Sequence, residues 1–173
     1  MQMKVGTTRA VLLLPSLGVA VKFPRIKFFS CIRFFWLFRH DRYLWVPFFT
    51  GHTHEAMSLR WRLFRGIQQN WVEYRFYRQT RNPFAWPTHF SLLGLINVQT
   101  LGLPAGVTPI QMWYVVTETL SEGDRWDPHT FGNPENFCRD SEGKVYLLDY
   151  GSEESRYILS KYGTELQERL RAD

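Results

Sequence analysis

One short hairpin constrains this chain more than any other stretch. Residues 134–151 run Pro134-Glu135-Asn136, then Phe137-Cys138, a polar turn Arg139-Asp140-Ser141-Glu142-Gly143, an apolar run Lys144-Val145-Tyr146-Leu147-Leu148, and Asp149-Tyr150-Gly151. A Gly-bearing polar turn beside a short apolar run has the character of a β-hairpin. A hairpin of this length returns its two ends to one edge, and Asn136 and Asp149 stand at those ends. An amide carbonyl and a carboxylate are hard oxygen ligands, suited to Mg²⁺ when substrate phosphates complete its shell. The spacing therefore predicts a metal and phosphate site at Asn136 and Asp149. The alternative is purely structural, with Asn136 capping a turn and Asp149-Tyr150-Gly151 ending a strand.

Together with His129, this stretch resembles the metal-binding heart of a protein kinase, where a catalytic loop of the type H-R-D-L-x-P-E-N leads through a hairpin into D-F-G. Pro134-Glu135-Asn136 matches P-E-N and Asp149-Tyr150-Gly151 matches D-F-G, with 13 positions from Asn136 to Asp149. His129 falls on the H, but Phe131 falls where the loop Asp accepts the substrate proton. The resemblance implies that Asn136 and Asp149 hold Mg²⁺ and that the usual base is missing. Asp127 and His129 are the weak candidates to replace that base.

Upstream, residues 8–14 and 18–23 look like two strands joined by Pro15-Ser16-Leu17-Gly18. The second contains Val19-Ala20-Val21-Lys22, which resembles the V-A-I-K strand of a kinase N-lobe. The resemblance implies that Lys22 reaches the nucleotide phosphates and pairs with a helix Glu. Glu73, late in a helical pattern over 55–80 (Met57, Trp61, Phe64, Ile67, Trp71), matches that Glu. Gly66 is expected to bend or divide this helix. Phe90–Val98 is read as the next strand, Met112–Thr117 as another, and Glu118–Leu120 as a hinge. No G-x-G-x-x-G loop precedes Lys22. Only nine residues reach from Leu120 to His129, too few for the helices of a full C-lobe. Residues 153–171 complete the reading as one closing helix, with an interruption at Gly163.

Composition narrows the function classes. Two cysteines, Cys31 and Cys138, make neither a C-x-x-C pair nor a disulfide framework, which suits a reduced, cytoplasmic protein. Lys4 and Arg9 precede Val11–Leu14, but Pro15 breaks that apolar run and no small-residue cleavage site follows, which argues against a signal peptide. No run of 18 apolar residues exists, so no spanning helix is expected. A net charge of +5 and a pI of about 9.4 favour anionic partners.

Residues 25–49 set Lys and Arg among Phe, Trp, Leu and Ile, with Lys27, Ser30 and Arg33 on one helical stripe. One reading is an interfacial helix on a membrane surface. The favoured one is a core or partner-facing element whose basic stems snorkel. Residues Pro47–His54 are read as a loop, and its Gly51-His52-Thr53-His54 is not read as a metal site. Arg60, Arg62, Arg65, Arg75, Arg78 and Arg81 would support nucleic-acid binding only if they shared one open face.

The expected fold is α+β in a single domain over 1–173. A kinase N-lobe-like antiparallel sheet with one long helix fills 1–120. The catalytic-loop hairpin and closing helix fill 121–173, and the helical C-lobe is largely absent. The expected function is that of a minimal pseudokinase acting by macromolecular binding, chiefly to a protein through residues 25–49. ATP and Mg²⁺ are the candidate ligands of Lys22, Glu73, Asn136 and Asp149. An ATP-dependent small-molecule or lipid phosphotransferase and a basic nucleic-acid-binding protein are the alternatives.

Overall fold

Alternation of side chains along the two halves of the N-terminal region builds one twisted sheet. A computed structural model of the chain describes residues 1–50 and 58–170, in which strands and helices mix as an α+β fold. Strands β1 (Gln2–Val5), β2 (Arg9–Leu14), β3 (Val19–Pro24), β4 (Thr88–Leu92) and β5 (Ile96–Thr100) are all antiparallel, in the order β1-β2-β3-β5-β4. The expected strand over 90–98 is in fact a hairpin of two. Leu93 and Gly94 turn the chain with φ of 50° and 77°, the left-handed pair that matches strand twist. Gly94 has a second reason to be glycine: a Cβ there would run into the Ile67 carbonyl of the helix behind it.

Two short helices and one long one follow β3. After β3 come α1 (Phe28–Leu37) and α2 (Arg42–Thr50), then α3 (Leu59–Thr80). Ser58 caps α3 by accepting the Trp61 N–H at 3.1 Å. The expected loop over Pro47–His54 is corrected at its start, where residues 47–50 form the last turn of α2, while 51–54, with His52 and His54, and residues 55–57 of the expected helix lie outside the described residues. Gly66 does not divide α3, which is continuous from Leu59 to Thr80. Its small size lets the helix lie against the sheet, since a Cβ there would collide with the Thr8 carbonyl and crowd Pro24.

The face of the sheet under α3 is polar. Register pairs Lys22 with Asn97 and with Val11, and Gln99 with Thr88 and with Ala20. Asn97, Gln99, Thr88 and Lys22 are all buried, as are Asn70 and Glu73 of α3. Asn97 donates to the Asn70 backbone carbonyl at 2.6 Å, and Asn70 donates to the Gly94 carbonyl at 2.9 Å. The opposite face carries Leu12, Val21, Phe23, Phe90 and Val98, half-buried or exposed.

The main apolar core lies elsewhere, in the C-terminal half. Strands β6 (Leu103–Pro104), β7 (Phe137–Arg139) and β8 (Val145–Leu147) form a second antiparallel sheet. Helices α4 (Pro109–Thr119), α5 (Pro128–Phe131) and α6 (Glu153–Arg169) pack against it. Met112, Val116, Phe131, Leu147, Ile158, Leu159 and Leu166 are wholly buried. Each such side chain contributes about 1.5–3 kcal/mol of transfer free energy.

Helix α4 corrects the strand expected over 112–117 and the hinge at 118–120. Thr108 caps it at 3.2 Å from the Gln111 N–H and Pro109 opens its first turn. Its buried residues Met112, Val115, Val116 and Thr119 fall at i, i+3, i+4 and i+7. Tertiary burial of that stripe outweighs the strand preference of its β-branched and aromatic residues. Placed in the first part by the sequence, α4 packs on α6 of the second. Helix α6 runs through Gly163 without the expected interruption, and the glycine makes room for Asn82, which packs where a side chain at that position would be.

Candidate functional site

The site grows from three inward-facing positions on two strands and one helix. Pairing of Val11 with Lys22 puts Arg9 and Lys22 on the same face of the β2–β3 hairpin. Glu73 lies three and seven residues after Asn70 and Gly66, on the face of α3 that covers this hairpin. Lys22 Nζ is 3.0 Å from Glu73 Oε2 and donates to the Leu148 carbonyl at 2.8 Å. Arg9 Nη1 is 2.6 Å from Glu73 Oε1, and its Nη2 is 2.7 Å from Asp149 Oδ1. The result is a buried chain of alternating charge, Lys22–Glu73–Arg9–Asp149.

The electrostatics follow from burial and pairing. Burial alone would drive the Arg9 guanidinium toward neutrality, but Glu73 and Asp149 outweigh it and raise its proton affinity. For Lys22 burial wins, with Arg9 adding to it against Glu73, and its pKa is lowered. Burial would raise the Asp149 carboxyl. Arg9, and then Lys22, reverse that and hold it at about 2.

The hairpin does bring its two ends together. Phe137 pairs with Leu147 and Arg139 with Val145, and the Leu148 N–H donates to the Asn136 carbonyl at 2.7 Å. Asn136 lies in a 3₁₀ turn, Pro134–Asn136, that Asn133 caps. Its Nδ2 donates to the Thr130 carbonyl at 2.9 Å. The structural reading of Asn136 thus describes its amide nitrogen, while its Oδ1 has no hydrogen-bond partner among the described residues.

Of the two base candidates, Asp127 has another role and His129 stands exposed. Asp127 caps α5, accepting from the His129 and Thr130 N–H groups and, at 2.7 Å, from the Thr130 hydroxyl. His129 is exposed on that short helix, and Phe131 is buried in the core. Tyr150 is also fully buried, its hydroxyl donating to the Trp86 carbonyl at 2.8 Å and meeting Thr88 at 2.9 Å.

Arg9 is the site residue that sequence reasoning missed. The signal was there in phase: a strand hairpin that puts 11 opposite 22 must put 9 on the face of Lys22. An arginine at an inward strand position calls for a buried acid, and Glu73 and Asp149 supply two.

Asp149 is the carboxylate at the hairpin end, and Arg9 pairs with it at 2.7 Å. Among the described residues no cluster of three or more His, Cys, Asp or Glu side chains could hold a metal. A surface recess of about 630 Å³, lined by Thr80, Asn82, Leu159, Lys161 and Glu165 among others, includes neither Lys22 nor Asp149. Among the described residues no helix is long and apolar enough to cross a membrane. No family model, no curated protein and no solved structure matches this chain.

Proposed function

We propose that this chain is a minimal pseudokinase-like protein that acts by binding another macromolecule, with Arg9 standing as an internal cation where a catalytic kinase would keep its metal. The reading is supported by the sheet with its long helix, by the Lys22–Glu73 pair, and by the hairpin that joins Asn136 to the residue before Asp149. One observation carries it: the Arg9 guanidinium joins Glu73 and Asp149. Two carboxylates neutralised from within leave little electrostatic demand for Mg²⁺. Phe131, packed in the core at the position of the base, is consistent with a role other than phosphoryl transfer.

A second reading keeps ATP and Mg²⁺ as ligands of Lys22, Glu73, Asn136 and Asp149, and with them a phosphotransferase activity. It is favoured by the Asp149 side chain, which remains 35% exposed. Thermal unfolding with ATP and Mg²⁺, run beside Asp149→Asn, separates the two. A ligand at a hundred times its dissociation constant adds roughly 2.7 kcal/mol of stability. The expected result is no Mg²⁺-dependent shift. A shift that needs Mg²⁺ and is lost in Asp149→Asn would establish the nucleotide site of the second reading and turn the search to hydroxyl acceptors.

A further inference from the structure

Among the described residues, helices α1 and α2 are covered on one side only. Cys31, Phe34 and Phe48 are buried against Leu44, Leu59 and Leu63, with the rings of Phe34 and Phe48 stacked 4.5 Å apart. Trp45 is half-buried against Phe35, and most of the other large apolar side chains described on these helices are exposed. On α1, Phe29 is 84% exposed and Trp36 67%, with Phe28, Ile32 and Leu37 beside them. On α2, Tyr43 is 91% exposed and Val46 and Phe49 join it. An uncovered patch of this kind marks an interaction site.

Charge identifies the occupant. Residues 1–82 carry fourteen Lys and Arg against three acids, a net +11, while residues 83–173 carry seven against thirteen, a net −6. Within 25–50 there are five Lys and Arg and a single acid, Asp41. Arg25, Arg33 and Arg39 are exposed around the apolar patch, and Arg60 is exposed at the start of α3. The Arg39 guanidinium lies over the Trp36 ring, 5.1 Å from its centre.

We infer that α1 and α2 dock this protein on an anionic phospholipid bilayer. Phe29, Ile32, Trp36, Val46 and Phe49 enter the acyl boundary, and Arg25, Arg33 and Arg39 meet lipid phosphates at head-group level. The exposed apolar side chains spread around α1 beyond a single stripe. A fluid phase accepts that spread, whereas a fixed protein groove matches one stripe. Nucleic acid fits less well, because bases stack on rings and find no partner in Ile32, Leu37 or Val46. The inference deepens the proposed binding role by naming the partner, and is independent of nucleotide binding.

The test is flotation of the full chain with vesicles of phosphatidylcholine alone and of phosphatidylcholine mixed with phosphatidylglycerol. The protein is expected to float with the mixed vesicles and not with the neutral ones. Phe29→Ser with Trp36→Ser, both at exposed positions, is expected to abolish flotation. Arg33→Gln with Arg39→Gln is expected to weaken partition on the order of tenfold. Should the serine variant unfold by circular dichroism, the arginine pair decides. Wild-type protein that stays behind with both vesicles overturns the inference, as does a folded serine variant that floats like wild type. Failure to float combined with salt-sensitive binding of single-stranded RNA, or with a dimer that the serine variant splits, reassigns the patch and equally overturns it. A nucleotide-dependent thermal shift leaves every one of these outcomes unchanged.

Discussion

Arg9 grips Asp149 at 2.7 Å across two separate parts of the fold, a strand near the N-terminus and the exit of the C-terminal hairpin. The same guanidinium reaches Glu73 of α3 at 2.6 Å. Sheet, long helix and hairpin are therefore tied by one side chain, and the geometry between them depends on it.

Arg9→Met should be costly. It leaves Glu73, wholly buried, with Lys22 alone and leaves Asp149 without its partner. Breaking a buried ion pair from one side typically loses about 3–5 kcal/mol. Urea denaturation would report it as a lower midpoint at unchanged slope. Arg9→Lys should recover only part of the loss, since a single ammonium cannot fork between two carboxylates. An unchanged midpoint in Arg9→Met would mean that apolar packing, and not charge, joins the layers.

Acid should weaken the fold through Asp149. Its carboxyl is held at about 2 in the folded chain, below its ordinary value of 3.8. A depressed folded-state pKa contributes stability that is present above the unfolded value and is lost as pH falls through the folded one. The loss attributable to Asp149 thus belongs between about pH 4 and pH 2. Melting temperatures measured across that window should fall less steeply in Asp149→Asn than in wild type. Parallel curves would remove Asp149 from the account.

Gly66→Ala sets two effects against each other. Helix propensity favours alanine by roughly 1 kcal/mol in a helix interior. The added methyl, however, meets the Thr8 carbonyl and Pro24, which are backbone and ring atoms with little freedom to yield. Overpacking of this kind costs about 1–3 kcal/mol, so the variant should be less stable than wild type. A rise in melting temperature would show that α3 can lift from the sheet.

Tyr150→Phe isolates one buried hydroxyl. It removes the donor to the Trp86 carbonyl and the contact with Thr88, while the ring stays packed 5.8 Å from Phe76. Loss of a buried hydrogen bond that orphans its partner costs about 1–3 kcal/mol. Equilibrium unfolding should register that decrease, and a variant as stable as wild type would mean that Thr88 and Trp86 re-pair without it.

Much of this architecture is legible in the residues, and the gaps have identifiable causes. The strands over 9–14 and 19–24, the β7–β8 hairpin and the two long helices follow from apolar period and turn chemistry. Helix α4 was hidden because Met112-Trp113-Tyr114-Val115-Val116-Thr117 has strand-favouring residue types, and only the cap at Thr108-Pro109 signals a helix. The hairpin inside 90–98 was hidden because Leu93 takes a left-handed conformation that leucine seldom adopts. The Lys22–Glu73 pair is anticipated by resemblance alone, whereas Arg9 follows from strand phase. Exposure of Phe29 and Trp36 cannot be read from composition, since buried and membrane-facing aromatics look alike in a sequence.

The amide seam under α3 makes evolutionary drift there slow. Asn70 and Asn97 each use their amide nitrogens, and among the described residues their side-chain oxygens have no partner. A lone Asn70→Leu would strand the Gly94 carbonyl, and a lone Asn97→Leu would take from the Asn70 backbone carbonyl its donor across to the sheet, so each step is penalised. Because the two amides serve two different backbone carbonyls, exchanging both for aliphatic residues cancels neither loss. Lineages of this protein should therefore hold both asparagines, and a change at one gives no licence for a change at the other.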